Sequence, residues 1–166
     1  MEIITISSAL LISAFLNILF QKEFIKRGIL DKINSRSSHH SLATRSGGTS
    51  IFLSLFLISI FFYLNNNEIY DFSLLIPISI MLVVGLYDDI YKLDFKLKFI
   101  FQIIVAKIII DNGLIIDNLH GILGVFELSR IFGQLFTIFI IVAIINSINF
   151  IDGIDGLAIS VITLFL

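Results

Sequence analysis

IFGQLFTIFIIVAIINSINFIDGIDGLA, residues 131–158, joins an apolar run from Ile131 to Ile148 to a polar cluster of Asn146, Asn149, Asp152 and Asp155. The run approaches the roughly 20 residues that a helix needs to cross a bilayer. In lipid the backbone must satisfy its own polar groups, so a continuous helix is the natural reading. The polar residues then recur every three positions, and where helical geometry persists that spacing keeps neighbouring pairs on a shared face. Gly153 and Gly156 let the backbone approach a ligand closely or let the helix break. An interfacial turn also favours Asn, Asp and Gly. Asn146, however, falls inside the apolar run, where a polar side chain is costly and usually has a purpose.

The rest of the chain fits a membrane setting. Of its 166 residues 57% are hydrophobic and 14% charged, against about 25% charged in an ordinary soluble domain, and the mean hydropathy is +1.03. A net charge of -2 without a basic tract gives no reason to invoke a nucleic acid polymer as partner. The absence of cysteine leaves oxygen and imidazole as the only metal ligands. Further apolar runs span Ile3 to Phe20, Ser50 to Leu64, Phe72 to Tyr87, Lys96 to Ile110 and Leu157 to the end. The first lacks a basic leader and a small-residue cleavage site, so it reads as a retained helix. The expected fold is an all-α polytopic membrane protein with five transmembrane helices and a truncated sixth.

Nine of the eleven lysines and arginines lie in the loops after the first and third runs. Basic residues stay on the cytoplasmic side, so these loops, and the one holding Asn149 to Gly156, are expected there, with the N-terminus outside. The outer segment Leu114 to Leu128, with glycines at 121 and 124, suggests a small hairpin. Because the chain stops within the apolar stretch LAISVITLFL, residues 1–166 read as the N-terminal part of one longer membrane domain.

Two more polar clusters fall on the cytoplasmic side. Gly85-Leu-Tyr-Asp88-Asp89 closes the third run, and adjacent carboxylates repel unless a cation lies between them. Magnesium suits such a site, since it takes few carboxylates, keeps waters and accepts phosphate oxygens; a solvated helix end is the plainer alternative. The first loop carries Asp31, Asn34, Arg36, His39, His40 and Arg45, then Gly47 and Gly48 where the second run begins. Arginine forks and the amides of a glycine-initiated helix are ready phosphate ligands, although a solvated positive-inside loop explains the arginines as well. Lys96, Lys98 and Gln102 enter the fourth run on the same side. His120, on the outer side, has no evident task.

Together the three segments resemble the polyprenyl-phosphate N-acetylhexosamine-1-phosphate transferase family. Its first-loop pattern, DxPNxRxxHxxPTPRxGG, is met by Asp31, Asn34, Arg36, His39, Arg45, Gly47 and Gly48, while Ile33, Leu42 and Thr44 replace its prolines. Its GxxDD with a following basic residue and glutamine matches Gly85, Asp88, Asp89, Lys98 and Gln102, and its NxxNxxDGxDGLA matches Asn146 through Ala158 without a break.

The resemblance implies transfer of a sugar 1-phosphate from a UDP-N-acetylhexosamine to undecaprenyl phosphate, releasing UMP, at the cytoplasmic face of a bacterial inner membrane. It implies Mg2+, with Mn2+ as an alternative, held by Asp152, Asp155, Asp88 and Asp89, which are also the catalytic candidates. Asn34, Arg36, His39, Arg45, Gly47, Gly48, Lys98, Asn146 and Asn149 are the expected phosphate and substrate contacts. The lipid bilayer is a further partner, and a homodimer is left open. Family members carry another catalytic aspartate and a histidine-rich loop in later helices, so this stretch alone is expected to lack part of its site. Two rival readings are an intramembrane prenyltransferase, whose NDxxDxxxD spacing is missing, and a transporter segment, whose acids should lie at mid-bilayer rather than at helix ends.

Overall fold

A computed structural model describes residues 2–30, 44–65, 72–151, 160–161 and 163–164. Five α-helices account for most of them: α1 (Glu2–Lys26), α2 (Gly47–Leu64), α3 (Leu75–Tyr91), α4 (Phe95–Asp111) and α5 (Arg130–Ile151). No named strand occurs among the described residues, in keeping with the all-α expectation. By length and composition, α1, α2 and α5 can each cross a membrane. The 17 residues of α3 and of α4 reach about 25 Å at ~1.5 Å per residue, short of a bilayer's ~30 Å hydrocarbon thickness.

The helices overrun the apolar runs that announce them. α1 continues through Gln21, Lys22 and Glu23 to Lys26, and an ion pair one turn apart, Arg27 Nε to Glu23 Oε1 at 2.6 Å, supports its last turn. Gly28 stops it at φ +69, a conformation that costs glycine nothing. The N–H of Ile29 then bonds the Phe24 carbonyl and that of Gly28 the Ile25 carbonyl, the paired closure of a Schellman motif. In α3 the order is reversed: Phe72–Leu74 form a short 3-10 turn before the helix starts at Leu75. Buried Pro77 fits in that first turn, where a missing N–H loses no helical bond.

The described helices form two compact units. In the first, α2 packs against both α1 and α3. Two of its buried serines, Ser50 and Ser54, are four residues apart on one face and bond carbonyls of their own helix, Gly47 at 2.7 Å and Ile51 at 2.8 Å. Small, internally satisfied side chains let helices approach closely without a hydrophobic drive, the usual device in lipid. Ile58 and Phe62 extend the buried face.

In the second unit α4 packs against α5, burying Gln102, Val105, Ala106 and Ile110 of α4 and Thr137 and Val142 of α5. Between them the chain doubles back: Leu119 N–H bonds Phe126 O at 2.7 Å, Leu128 N–H bonds Asp117 O at 2.7 Å, and Asn118 bridges Glu127. The hairpin suggested by the glycines is thus present as a tight reversal with a single bridge. Its base is fastened to α5, where Thr137 Oγ1 accepts the Ile116 N–H at 2.9 Å and donates to Gly133 O at 2.7 Å.

Candidate functional site

In the first unit, α2 begins at Gly47 beside the end of α3. Ser46, buried at its N-cap, does not cap the helix but donates to Asn17 Oδ1 of α1 at 3.0 Å. Asn17 is a polar residue within the apolar stretch of α1, and that misplacement was its only trace in the sequence. With Ser46 anchored, the preceding Arg45 reaches α3, where its Nη1 pairs with Asp89 Oδ1. The Asp89 side chain is 19% exposed and that of Arg45 49%. The pairing joins the arginine of the first loop to the second carboxylate of the Asp-Asp pair, 44 positions apart.

Gly47 and Gly48 open α2, and a Cβ built at either position meets no atom within 4 Å. The same is true of Gly85, one turn before Asp88. Packing in this unit therefore does not require glycine at these positions. Asp88 and Asp89 occupy the last turn of α3, which closes at Lys92 in the left-handed conformation, φ 52, its N–H on the Asp88 carbonyl.

In the second unit, Lys98 lies in the first turn of α4 and Gln102 follows it one turn later on the same face. Gln102 is buried, 5% exposed, and faces Asn146 of α5. Asn146 Nδ2 donates to Gln102 Oε1 at 2.8 Å and to Val142 O at 2.8 Å, while Gln102 Nε2 donates to Asn146 Oδ1 at 3.4 Å. Asn149 lies one turn further along α5 and is exposed. Helical geometry continues to Ile151. Asp152 and Asp155, with Asn34, Arg36 and His39, lie outside the described residues.

Among the described residues no three His, Cys, Asp or Glu side chains gather as a metal-holding group. Asp88 and Asp89 are nevertheless hard oxygen donors on consecutive residues, a set that fits magnesium, whose remaining positions go to waters and phosphate oxygens.

Among the described residues, three apolar helices of spanning length make the chain a multi-pass membrane protein. The family model described as Glycosyl transferase family 4 matches residues 71–166. An undecaprenyl-phosphate alpha-N-acetylglucosaminyl 1-phosphate transferase of Pasteurella multocida is 36% identical over 126 residues, 71% of this chain and 33% of that protein. The enzyme of the same name from Yersinia pestis is 32% identical over 146 residues, 84% of this chain and 39% of its own. A probable undecaprenyl-phosphate N-acetylglucosaminyl 1-phosphate transferase of Bacillus subtilis is 32% identical over 95 residues, 56% of this chain and 26% of its own. The chain thus spans about a third of the length of these relatives. No solved structure matches it significantly. With the family model covering more than half of its residues, the chain belongs to glycosyl transferase family 4.

Proposed function

We propose that this protein contributes the site at which a sugar 1-phosphate passes from a UDP-N-acetylhexosamine to undecaprenyl phosphate. The relatives are named for that transfer with N-acetylglucosamine as the sugar, which makes UDP-N-acetylglucosamine the first donor to test. An oxygen of the lipid phosphate attacks the phosphorus bearing the sugar. The bond from that phosphorus to the bridging oxygen breaks, and UMP leaves with that oxygen. A phosphate monoester with a second pKa of about 6 is largely deprotonated near neutral pH, so the nucleophile needs no dedicated base. Positioning and charge compensation then carry most of the catalysis.

The observation that carries this reading is the Arg45–Asp89 pair, which brings two of the three motifs together at one helix start. Arg45 holds a planar fork suited to phosphate beside the first amides of α2, at Gly47 and Gly48. Magnesium, when bound, would neutralise the diphosphate, with Asp88, Asp89, Asp152 and Asp155 as the side chains to hold it. Asn34, Arg36, His39 and Lys98 complete the proposed phosphate contacts, and Asn149 faces the donor. In the same reading the chain makes five spans and part of a sixth in a bacterial inner membrane. The N-terminus is outside and the active face cytoplasmic.

The test is an exchange assay on membranes expressing the gene's full reading frame, with labelled UDP-N-acetylhexosamines, undecaprenyl phosphate and magnesium. Labelled lipid is expected from wild type and should be lost in Asp152→Asn and Asp155→Asn. No labelled lipid from wild type would sink the activity, and undiminished labelling in both variants would sink the residue assignment.

A further inference from the structure

Asn146 stands first in the motif that runs on to Asp155, and its place in the sequence suggests a substrate contact. Its hydrogen bonds suggest otherwise. A carboxamide has two N–H donors, and those of Asn146 go to Gln102 Oε1 and to Val142 O, both at 2.8 Å. Its oxygen in turn accepts from Gln102 Nε2 at 3.4 Å. To donate to a phosphate, Asn146 would have to break one of these two bonds and leave the buried Gln102 Oε1 or the Val142 carbonyl without its donor.

We propose that Asn146 and Gln102 form a reciprocal amide lock that sets the rotation and depth of α5 against α4, and that Asn146 is a positioning residue rather than a ligand. Both partners lie inside their helices. Asn146 is five residues before the end of α5 and Gln102 seven after the start of α4, about 7 Å and 10 Å respectively at ~1.5 Å per residue. The neighbouring buried residues Val105, Ala106 and Val142 are small and apolar, and such a surface tolerates sliding and rotation because few geometries are excluded. A single buried polar pair removes that freedom, since every other register leaves amides unpaired in hydrocarbon, as a lone core Asn fixes the register of a coiled coil. What the lock presents is the next turn: Asn149, three residues on and exposed, followed by the chain that carries the aspartates.

The inference rests on the transferase reading for its kinetic test, and a physical test stands apart from it. In the exchange assay Asn146→Ala and Gln102→Ala should each lower kcat by about tenfold, the scale on which misplaced catalytic groups act, with KM for the nucleotide sugar within about twofold. The double variant should be no worse than either single one, because one broken lock cannot be broken twice. The exchanged pair, Gln102→Asn with Asn146→Gln, keeps the combined length of the two side chains and should recover activity to within about threefold of wild type. A KM raised by Asn146→Ala alone, multiplying single effects, or an exchanged pair as poor as the singles would overturn the lock. Thermal unfolding of the purified proteins gives the same cycle without any substrate. The single Tm losses should be non-additive and the exchanged pair should regain them, whereas additive losses would overturn the lock. If wild type makes no labelled lipid, the activity fails while the melting cycle still decides the lock.

Discussion

Two glycines at helix starts behave oppositely, and the difference lies in what a methyl group would meet. At Gly48 a Cβ finds no atom within 4 Å, so alanine there should keep most of the roughly 0.5–1 kcal/mol by which it outranks glycine in a helix. Under the proposed function the same methyl intrudes where phosphate approaches the amides of α2. Gly48→Ala is therefore expected to melt no lower than wild type yet lose transferase activity by about tenfold or more. A fully active Gly48→Ala would remove that helix start from the phosphate site. Arg45 makes the second residue-scale case. Lysine retains the charge beside Asp89 but not the planar fork, so activity should fall in the order wild type, Arg45→Lys, Arg45→Ala, with about a 100-fold loss in kcat/KM at the last. Equal activity of the lysine and alanine variants would show that the fork is irrelevant. The sequence disclosed Arg45, Asp89 and Asn146 as candidates. It could not disclose that the first two pair or that the third is taken up by Gln102, because each bond crosses 44 positions and depends on how helices lie side by side.

At the scale of elements, α5 owes its fit to Gly133 and Thr137. A Cβ at Gly133 would lie 2.9 Å from the Ile116 carbonyl oxygen, a backbone atom that cannot step aside without moving the segment it belongs to. Overpacking of this kind costs about 1–3 kcal/mol, which outweighs the ~1 kcal/mol of helix propensity that alanine brings. Gly133→Ala should accordingly lower Tm in detergent, opposite in sign to Gly48→Ala, and a raised Tm would contradict the close approach. Thr137→Val keeps the shape but leaves the Ile116 N–H without its acceptor, at an expected ~1–3 kcal/mol. The helices themselves were legible as apolar runs, but their ends were not. The extension of α1 depends on the Glu23–Arg27 pair and the Gly28 closure, and α3 starts later than its run because a 3-10 turn precedes Pro77.

At the scale of the whole molecule, a sequence without cysteine makes orientation in the membrane measurable. In intact cells a membrane-impermeant maleimide should label Asn112→Cys, while Lys96→Cys should react only after permeabilisation; the reverse pattern would invert the proposed topology. Chelation should abolish transfer, with magnesium or manganese restoring it, and activity that survives exhaustive chelation would exclude the metal. The sequence by itself determined the membrane class, the all-helical architecture and the three motifs, because apolar run length and polar residue spacing are local quantities that a bilayer and a helix impose directly. Only the tertiary structure decided which polar side chains spend their hydrogen bonds on one another. Arg45 with Asp89, Ser46 with Asn17 and Gln102 with Asn146 are each settled by which helix faces meet, and buried polar groups must find partners wherever that packing puts them.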